Sequence, residues 1–488
     1  MTIHSHATAT ASGIATTTTT TTTITTGVDI DTHMITHVYY VDGTDGDDGY
    51  DGLAPTLFGS HGAFKTFAKA ASVVVDYDQV YVRAGTYSER VAFTKTIKFS
   101  NYNGEAVIID GTGVSMASYQ GMIDFNGTIG THLPFGTEIC GFTIQYVGPD
   151  TTHAYNAIYG RYLDGIDIHD VIINDVVDSG IMLRNCYNIT IHGNLVKNCA
   201  HCAANMDESI SLDSCFDSNI YDNEVCSPDI TAYTQCSIGI CVKSSYASAR
   251  HVIHDNYVHH MCGNGIYSCA WTAHLSDVWI YNNHIHDIEC LGIAIGDEHG
   301  GGLENVYAYD NLIYRIAKAA IELSVVPAFS GTLTNIYTYN NTCAKSIHTW
   351  YCGIDVTTTN LAGMILIRNN IVFWHDADLG ADTQLGQIRI LDAAVALCTI
   401  DHNIVWGEND YQPPKGEGYT EADNFGGETW ADPLFVNWAN DDYRLQAGSP
   451  CRNAGLVWDN WVMPDTDYLD NPRECGSSID VGCYEYQE

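Results

Sequence analysis

Arg184, Asp213 and Lys243 stand 29 and 30 positions apart, and Glu322, Asp355 and Arg389 stand 33 and 34 apart. Residues separated by one period of a repeating strand become neighbours when the repeats stack, so each trio can act as one site. Cleaving a uronic acid polymer by elimination needs a base for the C5 proton, a cation for the adjoining carboxylate and an acid for the leaving oxygen. Arg184, Asp213 and Lys243 offer groups of these kinds, with Lys243 and Arg184 as candidate base and cation; a salt-bridge ladder between coils is the structural alternative. Glu322 and Asp355 suit hydrolysis instead, since two carboxylates about 5 Å apart serve a retaining glycosidase and a wider pair an inverting one. The alternatives there are a solvated acidic rim, a Ca2+ site, or an ion pair between Asp355 and Arg389.

Sugar binding would add flat apolar area and further cations. Tyr159, Tyr267 and Trp271 are candidate stacking rings, and Arg161 and Arg389 are candidate substrate-binding cations. The loop 42–51 gathers hard carboxylate oxygens on a glycine-rich chain, so Asp45 and Asp47, with Asp297 in a later turn, are candidate Ca2+ ligands; the loop lacks the closing Glu of an EF-hand. His251, His254, His259, His260, His284 and His286 flank repeated bends and read as unliganded residues on a sheet surface.

The balance of 59 acidic against 20 basic residues, a formal charge of -39, repels nucleic acid phosphates and anionic membrane surfaces. No nucleic acid partner is expected, and no stretch is long and apolar enough to suggest membrane insertion. Most of the 17 Cys lack Cys-x-x-Cys spacing, Cys199-Ala-His-Cys202 being the one approach to it, so most read as small apolar core residues, with one disulfide among Cys451, Cys475 and Cys483 as a candidate. The first residues have neither a basic nor a continuous apolar region of a secretion signal. The Thr-rich run from Thr16 to Thr26 reads as a linker, or as a segment that orders in a homo-oligomer or against a particle.

What must position the candidate residues is a repeat with a period near 29. A strand with apolar residues at period two meets Asn, Asp or Gly at Gly111, Gly141, Asp170, Asn194 and seven later marks ending at Asn403. These residue types tolerate a left-handed backbone, so the marks predict one tight bend per repeat, with amides stacked from coil to coil. A second motif, at Gly180-Ile, Gly239-Ile, Gly265-Ile, Gly292-Ile and Gly353-Ile, predicts another strand per coil. With each Ile inward, the next residue points out, giving a row from Tyr159 through Met182, Ser211, Cys241, Tyr267, Ala294, Glu322 and Asp355 to Arg389. A second outward row contains Arg161, Arg184, Asp213, Lys243 and Cys269.

These repeats make the sequence resemble the pectate-lyase-like superfamily of right-handed parallel β-helix proteins over nearly everything after residue 37. The segment His37-Val-Tyr-Tyr-Val-Asp-Gly, the run 62–71 and Val80-Tyr-Val-Arg-Ala-Gly-Thr-Tyr resemble the family's opening strand, capping helix and first coil. Phe64, Phe67, Ala68 and Ala71 are expected on the helical face that covers the open end. Ala431-Asp-Pro-Leu-Phe-Val, Asp442-Tyr-Arg-Leu and Ile479-Asp-Val-Gly-Cys-Tyr resemble the closing region, expected to seal the last coil. The resemblance implies an all-β solenoid of about ten coils over 101–406, a cap and first coil over 37–100, a C-terminal cap over 407–488 and a separate tail over 1–36. It further implies an extracellular or virion-surface protein that binds a polysaccharide or glycan surface in a tailspike-like or fibre-like role, with cleavage left open. A secreted polysaccharide lyase or glycoside hydrolase and a structural filament or capsid-surface protein are the alternatives.

Overall fold

Isoleucine and valine at alternate positions turn one side of each short strand toward a common axis, and only stacking of successive repeats can bury that side. The computed structural model describes residues 35–148, 155–200, 208–229, 237–346, 353–373, 388–391, 394, 398–406, 431–457, 465–473 and 476–487, with the backbone of two short tail strands, Thr2–His4 and Thr21–Thr23. Among these residues three parallel sheets run the length of a solenoid. The first has 13 strands, from Val38–Val41 to Cys398–Asp401. The second has 12, from Gly85–Tyr87 to Ile404–Trp406, and the third has 11, from Val91–Phe93 to Ile388–Ile390. Each strand pairs with its counterpart one coil away, so like residues stack: Ile139, Ile168, Ile191, Ile220, Ile253 and Ile280 form one buried file on the first sheet.

The bend between the first and second sheets carries the expected amide column. From Asn194 to Asn403 the Nδ2 of each Asn donates to the Oδ1 of the next at 2.9–3.0 Å, through Asn223, Asn256, Asn283, Asn311, Asn341 and Asn370. All are buried, so every rung needs its neighbours. The left-handed backbone belongs to the residue before each rung. Gly193, Asp222, Asp255, Asn282, Asp310, Asn340, Asn369 and His402 have φ between 53° and 62°. Two demands that the sequence reading placed on one residue are therefore divided between consecutive residues. Gly141 and Asp170, with φ of 78° and 52°, belong to the left-handed column, one position out of register with the later marks.

At the start of the third-sheet strands the recurring glycines meet backbone. A Cβ on Gly265 would lie 2.7 Å from the Gly292 carbonyl oxygen, too close for any side chain. The helix Phe67–Val73 begins at an N-cap, Thr66, whose Oγ1 accepts from the Lys69 N–H at 3.1 Å. It turns Phe67 and Ala70 into the continuous core, while Ala68 is exposed and Phe64 precedes the helix. Of the residues expected to cover the open end, Phe64, Phe67 and Ala71 meet the core; Ala68 does not, and Ala70 is buried instead.

The C-terminal segment lies along the side of the column. Phe435, Tyr443, Leu445, Cys451, Val481 and Cys483 pack on Leu312, Tyr314, Ala344, Ile371 and Phe373, outward residues of the second sheet. A buried ion pair between Arg473 and Asp310 and a bond from the Cys483 N–H to Thr342 Oγ1 at 3.1 Å hold it there. The expectation that this tail seals the last coil is corrected for these residues: their apolar side covers sheet that would otherwise be wet. Cys451 and Cys483 are free buried thiols packed as small apolar groups, and Cys475 lies outside the described residues.

Candidate functional site

The outward rows of the third sheet are paired as the alternation predicted. Tyr159, Met182, Ser211, Cys241, Tyr267, Ala294, Glu322, Asp355 and Arg389 are register partners in turn, and so are Arg161, Arg184, Asp213, Lys243 and Cys269. Outward does not mean wet. Cys241, Tyr267, Cys269, Cys290, Leu291 and Ala294 form a second apolar cluster outside the sheet, with Trp271 at its edge. Tyr267 donates its hydroxyl to Glu298 Oε1 at 2.7 Å, and Trp271 packs on His299 with ring centroids 3.8 Å apart. Tyr159 is also buried, so neither tyrosine offers an open ring face to a sugar.

The predicted lyase trio is brought together and locked. Arg184 lies 2.9 Å from Asp213, whose carboxylate also accepts from Ser214 Oγ and from the backbone N–H and hydroxyl of Ser245. Lys243 lies 2.7 Å and 2.8 Å from the two oxygens of Glu208, a partner the sequence reading missed because it sits at the start of its strand. Burial disfavours the Lys243 ammonium, but the Glu208 carboxylate outweighs it and holds the pKa above its ordinary value. Lys243 is therefore a fixed cation, in conflict with the candidate role of base.

The second predicted group is also brought together. Glu322 and Asp355 are register partners, and Asp355 accepts a two-pronged contact from Arg389, with Nε at 2.7 Å from Oδ1. Burial and then the neighbouring Asp355 charge raise the Glu322 pKa. Of the candidate Ca2+ ligands, Asp45 and Asp47 share one loop before the first coils, and Asp297 ends a third-sheet strand many coils later. Asp45 uses its backbone N–H on Asp42 Oδ1, and Asp47 Oδ1 accepts from the Gly49 N–H at 2.7 Å. Asp297 is buried in the third sheet, where its two oxygens accept from the Gly300 and Gly302 N–H groups at 2.5 Å each.

Extending the outward row one coil toward the N-terminus reaches a group the sequence reading stopped short of. Asp124 is the register partner of Tyr159, and Asn126 that of Arg161. Both line an open cavity of about 360 Å3 with Arg90, Arg161, Gln120 and Tyr119. Asp124 Oδ1 accepts from the Gly121 N–H at 2.7 Å, Oδ2 pairs with Arg90, and Arg161 Nε donates to Asn126 at 2.9 Å. Burial raises the Asp124 pKa to about 6, against the opposing pull of the Gly121 N–H and the two arginines. Such a carboxyl can give or take a proton near neutrality beside guanidinium groups that match carboxylate geometry.

On the first sheet, His169, His192, Tyr221, His254, Tyr281, Tyr309 and Tyr339 stack in one file, centroids 4.9–5.2 Å apart and rings within 10° of parallel. Each ring is sandwiched by its neighbours along the file, so the file presents edges and contributes packing. On the second sheet His259, His260, His284 and His286 form a contact network with Tyr257 and Tyr314.

Residues 95–290 match the family model of NosD, described as a periplasmic copper-binding protein. No curated protein sequence matches the chain at significance. Among solved structures, one described as the complex of XylC with xylose shares the fold with a TM-score of 0.54 at 12% identity, over 92% of this chain and 99% of that one. The Dettilon tailspike protein (gp208) gives 0.50 at 13%, over 76% and 68%. The pectate lyase Pel9A gives 0.44 at 13%, over 93% and 97%. The fold expected from the sequence, a parallel β-helix, is the fold found. No helix among the described residues is long and apolar enough to cross a membrane.

Proposed function

We propose that this chain acts outside the cytoplasm, at a cell or virion surface, and binds an anionic polysaccharide on the outer face of its third sheet. Arg90, Asp124 and Arg161 make the sugar contact, and Arg184, paired with Asp213, lies on the next coil. The observation that carries this reading is the gathering of cations. The chain has 20 basic and 59 acidic residues, yet Arg90 and Arg161 both line one open cavity and Arg184 follows Arg161 on the next coil of the same face. Arginine forks donate pairs of parallel hydrogen bonds to uronate carboxylates, and coils spaced roughly 4.8 Å apart present such forks along a linear polymer. Asp124, with its raised pKa, is the group placed to move a proton if the polymer is cut. The second reading, hydrolysis at Glu322 and Asp355, has less support, since Arg389 occupies the Asp355 carboxylate.

The sugar complex and the tailspike among structures of similar fold support a polysaccharide partner, and a family model described as periplasmic supports action outside the cytoplasm. The Thr-rich tail fits a segment attaching the column to a particle or to other copies. The test is retention of the purified protein by pectate, alginate, chondroitin sulfate and neutral xylan, with product ends followed in parallel. Retention by the acidic polymers, lost in Arg161→Ala and kept in Glu322→Gln, is the expected result. Equal retention by neutral xylan, or indifference to Arg161→Ala, contradicts it. Unsaturated ends that disappear in Asp124→Asn would add a lyase activity to binding.

A further inference from the structure

On the first sheet, away from that groove, three potential ligand atoms converge from two consecutive coils. Glu138 and Cys140 point outward from the strand Thr137–Cys140, and His169 on the next coil is the register partner of Cys140. Glu138 Oε1 is 3.5 Å from His169 Nε2 and 3.7 Å from Cys140 Sγ. All the ligand atoms lie within 4.8 Å of one another, and the three residues are half-buried. Tetrahedral bonds of Zn2+ to nitrogen, oxygen and sulfur place those atoms about 3.4 to 3.6 Å apart, so the two separations from Glu138 Oε1 are already close to those an ion imposes.

The surroundings hold each ligand in a usable state. Glu138 Oε2 pairs with Lys98 at 3.0 Å, which leaves Oε1 turned to the cluster. His169 Nδ1 lies 2.8 Å from Asp170 Oδ2; with that nitrogen carrying the proton, Nε2 presents its lone pair to Cys140 and Glu138. A carboxylate on the far nitrogen is the outer-sphere arrangement that orients a metal-binding imidazole and raises its basicity. His192 stacks on His169 at 5.0 Å and fixes the ring plane.

We propose that Glu138 Oε1, Cys140 Sγ and His169 Nε2 bind a borderline divalent transition-metal ion of the Zn2+ class, with the fourth position open to solvent. The thiolate excludes Ca2+ and Mg2+, which take oxygen ligands, and mixed sulfur, nitrogen and oxygen donors suit Zn2+. Binding releases the Cys140 thiol proton to solvent, so affinity falls in acid. Two other clusters lie on the second sheet: Glu224, Cys226 and His259 have the same donor types but a buried thiol, and His260, His286 and Asp287 already hold a cation, with Arg315 Nη2 2.6 Å from Asp287 and 3.2 Å from His286.

The full chain, stripped with chelator, is titrated with Zn2+ against a chromophoric competitor and with Co2+ read by its thiolate charge-transfer absorption. One equivalent with that absorption is expected, absent in Cys140→Ala and present in Cys226→Ala. Asp170→Asn, which keeps all three ligands, weakens Zn2+ binding on the order of 10- to 100-fold. In the unmutated protein, Zn2+ slows alkylation of Cys140, located by peptide mass. A Co2+ complex without thiolate absorption, absorption that survives Cys140→Ala, or alkylation of Cys140 at the same rate with and without Zn2+ overturns the proposal.

Discussion

Lys243 and Glu208 stand 35 positions apart in the chain and form two contacts of 2.7 Å and 2.8 Å across one coil. Both side chains are largely covered, at 21% and 10% exposure, so each charge depends on the other. Lys243→Ala leaves Glu208 covered and unpaired, at an expected cost on the order of 3 kcal/mol in denaturant unfolding. Lys243→Met with Glu208→Gln removes both charges and should recover much of that loss. Additive single and double effects would show that the two are not coupled.

Asp124 should make sugar binding depend on pH. Its folded-state pKa is raised from 3.8 to about 6, so the fold favours the protonated carboxyl between those values. As pH rises through that window its ionisation works against the fold, and above it the penalty is constant. A negative charge there also repels an anionic ligand. Affinity for an acidic oligosaccharide, measured by calorimetry, is expected to be several-fold tighter near pH 5 than near pH 7, and Asp124→Asn should flatten the difference.

His251 should make the fold sensitive to acid. It is buried between Ser218 Oγ at 2.7 Å from Nδ1 and Ser248 Oγ at 2.9 Å from Nε2. Burial lowers its pKa from 6.5 to about 3, so the unfolded chain binds the proton that the folded chain refuses. Its contribution is whole above 6.5 and is lost as pH falls toward 3. His251→Gln should lose less of its urea midpoint between pH 7 and about pH 4.5 than the unmutated protein does.

Asn283 sits inside the amide column and Asn403 at its end. Asn283→Ala takes the Oδ1 acceptor from the Asn256 backbone N–H and Nδ2, and the Nδ2 donor from the Ile253 and Tyr281 carbonyls and Asn311 Oδ1. The expected loss is on the order of 3 kcal/mol by denaturant unfolding. Asn403→Ala, with no following rung to strand, should cost clearly less.

The repeat was legible because in-register stacking asks for the same residue type at the same place on every coil. Ile139 to Ile280 and Asn194 to Asn403 meet that demand openly. Alternation also gave the outward rows from Tyr159 to Arg389. Alternation reports direction and is silent about what packs on top, so Tyr159 and Tyr267 faced outward yet proved covered. Partners joined across a coil by long side chains, such as Arg90 with Asp124 and Lys243 with Glu208, follow no fixed spacing and stayed hidden. The tail from Phe435 to Tyr484 showed an apolar side in need of cover, but nothing in its pattern said which sheet would supply it.

The amide column also makes the molecule a ruler with fixed divisions. Each Asn is held by the one before and the one after, whether 27 or 33 residues separate them, because the segments between strands absorb the difference. Length can therefore change by whole coils, each bringing its own amide, whereas a fractional coil would sever the chain of bonds and put outside residues inside. Duplication of the coil that carries Arg161 would add one guanidinium to that face without disturbing the coils already in place.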